Sequence, residues 1–442
     1  MDNVRIDRYK KSLEYLERAK KVTPGAAQTL SKMPARFPQG AFPIAAREGC
    51  GAKIIDVDGN SYVDWIGALG AVPLGYRHEH VIDAINSQAG IGAMSLPDPE
   101  EAYLAERLCS KIPCAEMVRF VNSGSEATEA AIRTARIATG RDIILTVKSG
   151  YHSWHSWFQA VKDWHPGVPQ LYEDMIGSFT YNDIESVHHA FKWHKKNDWQ
   201  LDSDCVLKPG VAAVIMEPCL FDKPKEGFLQ GVRDLCTEHG ALLIFDEMVT
   251  GYRWRLAGGQ EYFNITPDLA TFGKGMANGL PIGMLCGKRE YMQHAELISG
   301  TFGGNALSLA AANAVLDLYE SEPVIETMWK RGQELMGVFT LGAFTREISA
   351  ISEGYACKPR FKFNCGEKSD LAMSLFLQET AAHGALFHPG GMNICYALTD
   401  EDMSITKKAI EAALDTVEKA LRMNDWSALK GNLIQPVVTV RS

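Results

Sequence analysis

No stretch of this 442-residue chain is apolar and uninterrupted for long enough to span a bilayer as a helix, which argues against a helical membrane protein. It also lacks a basic cluster. With a net charge of −9, a nucleic-acid or anionic-membrane surface is not expected. There is no Cys-x-x-Cys pair. The ten cysteines are scattered singly, the usage of reduced thiols in a cytoplasmic protein and not of a disulfide framework or a zinc site. The opening MDNVRIDRYKKS has no apolar core of a signal peptide. Internal repeats and low-complexity linkers are missing too. So are G-x-G-x-x-G after the first strand and G-x-x-x-x-G-K-[ST], which disfavours a nucleotide-binding dehydrogenase.

What is present is an ordinary globular composition, 46% hydrophobic and 22% charged, on a length that suits two or three domains. Apolar spacing predicts a helix over 4–22, stopped by Pro24-Gly25. Two strand-like runs around Asp58-Gly59 predict a hairpin over 52–65. Strands are then expected at 117–121, 142–147, 211–216, 241–246 and 269–272. Helices are expected near 99–112, 126–139, 232–239, 305–320, 368–383 and 400–422. Continuous apolar strands alternating with helices predict an α/β fold with a parallel sheet covered on both faces. The chain divides on this reading into 1–70, a large domain at 71–315, and 316–442. The two flanking segments form a smaller domain.

Five segments fall where strands of such a sheet end, the edge at which α/β proteins bind ligands. After 269–272, Lys274 stands between Gly273 and Gly275. A lysine on a strand end with glycines on both sides is a candidate Schiff-base lysine, although a surface lysine in a Gly-rich turn would look the same. Ser123-Gly124-Ser125 joins a strand to a helix and offers free N–H groups to a phosphate; plain N-capping is the alternative. Gly150-Tyr-His-Ser-Trp-His-Ser-Trp157 could present an aromatic face to a planar ring or pack as core. His152 and His155 have no acidic or His cluster nearby, so no metal is expected. Asp246 ends the most apolar strand and is a candidate partner for a protonated ring nitrogen, or else a structural aspartate. Gly300–Asn305 is a further Gly-rich turn that opens a helix. Lysine, buried aspartate, aromatic stacker and phosphate turn together describe a pyridoxal phosphate (PLP) site.

In VNSGSEATEAAIRTAR, GYHSWHSW, LLIFDEMVTGYR, TFGKGMANGLPIG and TFGGNALS the chain resembles class III aminotransferases of PLP fold type I, in the style of the glutamate-1-semialdehyde aminomutase branch. The likeness runs from about Pro24 to the last helix. It implies a large domain with a mostly parallel seven-stranded sheet and a smaller α+β domain. It also implies that Lys274 carries the cofactor's aldimine and shuttles a proton, and that Asp246 pairs with the pyridine nitrogen. Tyr151 would stack on the ring with His152 beside it, Met248 would cover the other face, and Ser123, Gly124 and Ser125 would hold the phosphate. Glu217 belongs to the cofactor set. Thr301 would reach the cofactor of a neighbouring subunit, implying a homodimer with shared sites.

Departures from the aminomutase pattern direct the functional expectation. Lys32 stands where the mutase has a carboxylate-gripping arginine, and lysine cannot give a bidentate grip. Glu217-Pro218 replaces the mutase's Gly-Asn, as in ordinary class III transaminases. The segment 387–395 has no carboxylate, and 385–404 has no arginine. The expectation is a transaminase acting between an amino donor such as glutamate and a polar, sugar-like carbonyl acceptor. Thr29, Lys32, His155 and Asn393 are the candidate substrate contacts. The alternatives are the 2,1-aminomutase and an amino-acid racemase of the same fold.

Overall fold

A computed structural model describes residues 8–92, 95–148, 150–161, 165–196, 200–202, 205–206, 210–219 and 221–435. The chain forms two compact units. One is built from Met1–Glu79 and Pro323–Ser442, the other from His80–Glu322.

The first unit carries the predicted hairpin as an antiparallel sheet of β1 (Ala46–Cys50), β2 (Lys53–Asp56) and β3 (Ser61–Asp64). Ala385–Leu386 extends it, parallel to β3. The turn is held by Asp56, whose carboxylate accepts from the N–H groups of Asp58 (3.0 Å) and Asn60 (2.8 Å), while Gly59 takes φ +94°. The helix predicted over 4–22 is observed at Lys10–Val22; residues 4–7 lie outside the described residues. Helices Ser369–Ala382 and Asp400–Met423 fall where periodicity places them. The 22-residue helix Val324–Thr345 was not foreseen, because Gly332, Gly337 and Gly342 interrupt its helical signal. Two of those glycines serve packing. A Cβ at Gly332 would lie 1.7 Å from Ala356 O, and one at Gly342 would lie 2.8 Å from Leu414.

The second unit holds the seven-stranded sheet. Its strands are β4 (Met117–Val121), β5 (Ile143–Val147), β6 (Ile176–Phe179), β7 (Val211–Met216), β8 (Leu242–Asp246), β9 (Leu269–Phe272) and β10 (Gly283–Gly287), in spatial order β4-β10-β9-β8-β7-β5-β6. Neighbours pair parallel except β10, which runs antiparallel to β4 and β9. The sheet is thus mostly parallel, as the family resemblance implies. Gly283 and Gly287 bracket only three apolar residues, too short a run to mark β10 as a strand. β5, β7 and β8 are buried throughout, as a sheet covered on both faces requires.

This topology decides where chemistry can sit. All strands but β10 point the same way, so the residues following β4, β5, β7, β8 and β9 emerge along one edge. Next to β5 the strand order reverses, with β6 on one side and β7 on the other. Such a switch point opens a crevice at the carboxyl ends.

Candidate active site

Along that edge the second unit assembles five of the segments singled out above. Asp246 ends β8, 2% exposed. Its Oδ2 lies 2.7 Å from His152 Nδ1, while Oδ1 accepts from Met248 N–H (3.1 Å) and Thr271 Oγ1 (3.2 Å). A carboxylate buried this deeply is tolerable because donors surround it. His152 is also buried, packed 5.0 Å from the Phe158 ring, yet among the described residues its Nε2 has no hydrogen-bond partner. Gly150 leaves room for that imidazole: a Cβ there would stand 3.0 Å from Nε2.

Lys274 follows β9 at φ +41°, in the left-handed region that side chains other than glycine rarely adopt. Such strain concentrates where geometry serves function. Burial holds its ammonium below the usual lysine range; the charges of Asp246 and Glu217 oppose that shift and Arg253 reinforces it. Glu217 follows β7 and accepts the backbone N–H of Tyr151. Burial pushes its carboxyl upward, and the charges of His152 and Lys274 pull it back.

The helix Gly124–Thr139 starts directly after β4. Ser123 caps it, its Oγ accepting Glu126 N–H at 3.2 Å, and Glu126 reaches back to Asn122 N–H at 2.6 Å. The capping alternative therefore holds for the Ser123 hydroxyl. The first-turn N–H groups of Gly124 and Ser125 have no intrahelical acceptor and face the edge with the positive end of the helix dipole. Met248 ties this turn to the lysine turn. A Cβ would come within 3.0 Å of its sulfur at Gly124 and within 2.8 Å at Gly273, so only glycine fits at both places without displacing it.

The remaining candidates are placed differently. Tyr151 presents its ring outward, 60% exposed. His155 turns toward the helix: its Nε2 is 3.2 Å from Thr128 Oγ1, and its ring packs 4.8 Å from Phe158. Burial and the neighbouring His152 hold it at a pKa of about 4, so it is neutral at pH 7. Thr301 is exposed in a turn before the Ala306–Ser321 helix, which Asn305 caps. Thr29, Lys32 and Asn393 belong to the first unit. Thr29 and Lys32 are exposed. Asn393 is buried and donates from Nδ2 to Ile66 O at 2.8 Å. Lys32 acts electrostatically on Asp64. Burial pushes that carboxyl up, while the Tyr76 hydroxyl (2.6 Å), the Ile66 N–H (2.9 Å) and the Lys32 charge draw it down.

Sequence reasoning read Thr128 only as a capping residue beside Ser125 and passed over Thr271, yet both hydroxyls touch site residues. It also missed Glu247, a buried carboxyl beside Asp246 that accepts from Thr250 Oγ1, Gly259 N–H (2.7 Å) and Gln260 N–H (2.8 Å). Only the position of Thr128, one turn after Ser-Gly-Ser, offered a signal. Burial outweighs the three donors and lifts Glu247 from 4.5 to about 7. Because this pKa is raised on folding, the stabilisation is present below 4.5 and is lost as pH rises through about 7. By linkage the loss is roughly 3 kcal/mol. The urea midpoint of wild type should fall between pH 5 and pH 7.5 by more than that of Glu247→Gln, and parallel profiles would contradict it.

Residues 36–421 match the family described as aminotransferase class-III. The chain belongs to that family. It is 34% identical to the 3-aminobutyryl-CoA aminotransferase of Cloacimonas acidaminovorans (strain Evry), over 93% of this chain and 98% of the relative. To glutamate-1-semialdehyde 2,1-aminomutase 2 of Brevibacillus brevis it is 33% identical, over 93% and 99%. Among solved structures, the PLP internal aldimine form of the FumI protein of Sphingopyxis sp. MTA144 superposes with a TM-score of 0.86 at 27% identity, covering 97% of this chain and 99% of that one. This class-III aminotransferase is therefore a PLP-dependent enzyme with the fold type I architecture. Its own residues fit the cofactor. A buried His152–Asp246 pair, a desolvated lysine and a glycine-lined helix start stand along one sheet edge. Among the described residues no group of three His, Cys, Asp or Glu side chains could hold a metal, and no helix is long and apolar enough to cross a membrane.

Proposed function

We propose that this enzyme is a transaminase that carries an amino group from a donor, glutamate or another amino acid, to a polar carbonyl acceptor. The choice over the mutase rests on Lys32. By the resemblance it stands where the mutase has arginine. A lysine gives a substrate carboxylate no planar two-point grip. The 3-aminobutyryl-CoA aminotransferase relative supports the same reading and puts 3-amino acids among the donors to try. The aminomutase relatives support the second reading, an internal 2,1-transfer.

When bound, the cofactor supplies an electron sink for bonds at the amino-bearing carbon. Lys274, with its amine deprotonated more readily than an ordinary lysine, is the group we assign to covalent attachment and to carrying the proton. Asp246 holds the ring-nitrogen proton, and His152 steadies it by donating from Nδ1. Gly124 and Ser125, next to the capping Ser123, hold the phosphate. Tyr151 and Met248 cover the ring faces, and Glu217 balances charge between Lys274 and His152. Of the substrate candidates, Thr29 and Lys32 are exposed and Asn393 is engaged within its own unit. His155 is engaged by Thr128 and is assigned to the wall of the site.

The decisive experiment follows the visible spectrum of holoenzyme given L-glutamate or 3-aminobutyrate with no acceptor. Conversion to the pyridoxamine form supports transamination. Turnover of glutamate-1-semialdehyde without any donor would sink it in favour of the mutase.

A homodimer with shared sites is part of this proposal. Thr301 stands between exposed Leu297 (60%) and Phe302 (67%), beside a cavity of about 530 Å³ lined by Pro97, Ile298 and Gly300. Two exposed apolar side chains flanking Thr301 favour a protein partner. Phe302→Asp is expected to sediment as a monomer with native far-UV circular dichroism; an unchanged dimer would count against this face.

A further inference from the structure

Thr128 sits one turn into the helix whose start is assigned to the phosphate, and it is only 1% exposed. Its hydroxyl has four polar atoms within 3.2 Å: Gly124 O (3.0 Å), Ser125 O (3.2 Å), His152 O (2.8 Å) and His155 Nε2 (3.2 Å). A hydroxyl has one proton to give and two lone pairs. Two of the carbonyls are the ordinary back-bonding partners of a helical threonine. The third is not local, since His152 lies 24 residues away and is the nearest of the four.

The hydroxyl proton goes either to His155 Nε2 or to one of the three carbonyls. If Thr128 donated to His155 Nε2, its oxygen would face three carbonyl oxygens within 3.2 Å with no proton between them, which is repulsive. If it donates to a carbonyl, of which His152 O is the nearest at 2.8 Å, that contact becomes a hydrogen bond, and His155 Nε2–H can donate to the threonine oxygen. The second arrangement prevails. His155 Nδ1 then faces Glu129 at 3.6 Å, beyond hydrogen-bond reach, and no other hydrogen-bond partner for it stands among the described residues. The backbone between the histidines is held as well. Ser153 takes φ +139°, strained for a non-glycine; its Oγ accepts His155 N–H at 3.1 Å, and its carbonyl accepts Gln159 Nε2 at 3.0 Å.

We propose that Thr128 is a positioning residue that locks the His152 backbone to the phosphate-binding helix start, and so sets the spacing between that turn and the His152–Asp246 pair. This rests on the cofactor assignment and not on the choice of transaminase over mutase. One hydroxyl thereby ties together the two ends of the cofactor site and holds His155 as the Nε2–H tautomer.

The test uses full-length apoprotein labelled with 15N-histidine, together with PLP titration followed by absorbance. Wild-type His155 is expected as the Nε2–H tautomer. Thr128→Val, of the same shape without the hydroxyl, should lose that preference and bind PLP about tenfold more weakly. Thr128→Ser should restore both. A hydroxyl that served only the fold would lower the melting temperature and leave PLP affinity unchanged. Wild-type His155 found as Nδ1–H, or PLP affinity in Thr128→Val within twofold of wild type, would overturn the proposal. Should the valine variant not fold, the wild-type tautomer alone decides. Wild type failing to take up PLP would instead remove the cofactor assignment, which the tautomer measurement does not use.

Discussion

Lys274→Ala is expected to lower turnover by about 10⁴-fold, the upper end of what one acid–base group contributes, and to abolish the visible band of bound cofactor. The fold should survive. The side chain leaves an edge where burial opposes its charge, and alanine tolerates φ +41° no worse than lysine does. The folded-state pKa of Lys274 is depressed, so the group's contribution to stability is present only above its ordinary value of 10.5 and is lost as pH falls. Below pH 10.5 the wild-type apoprotein therefore carries a cost at this buried amine that the variant lacks. The variant apoprotein should melt at a higher temperature, and the difference should shrink as pH rises toward 10.5. Activity within tenfold of wild type would remove Lys274 from the chemistry altogether.

Asp246→Asn should cost about 10²- to 10³-fold in kcat, the scale seen when one preorganised polar contact is taken from a reacting centre. The amide is nearly isosteric. Its oxygen can still accept from His152 Nδ1, so His152 should stay in place and the protein should still bind PLP. What disappears is the negative charge. That charge also raises the Lys274 pKa, so in the variant Lys274 should titrate at still lower pH. The pH dependence of Lys274 acylation in the apoprotein reads the shift, and steady-state kcat reads the lost charge. A variant that kept full kcat would show that Asp246 serves only to seat His152 and Met248.

The two residues of these predictions were legible before any coordinates, and the reason is local. A lysine between glycines after an apolar run, and an aspartate ending the most apolar strand, are each defined by their immediate neighbours. Strand ends, caps and glycine turns depend on a few consecutive backbone dihedrals. The Gly124–Thr139 helix start, the hairpin at Gly59 and the Asn305 cap were readable for the same cause. The helix Val324–Thr345 was not, because its glycines answer to neighbours outside the helix, Ala356 and Leu414.

The sequence alone therefore determined the family motifs, the alternation of strand and helix, and the edge on which the chemistry sits. Only the tertiary structure decided which side chains meet there. The contact between His152 and Asp246 joins residues 94 apart in the chain, and that between Thr128 and His152 joins residues 24 apart. It also turned His155 from a candidate substrate contact into a neighbour of Thr128. The antiparallel course of β10 likewise followed from pairing with β4 and β9, which no local pattern encodes. Periodicity and turn chemistry act over a few residues; burial and partner choice act over the whole packed unit.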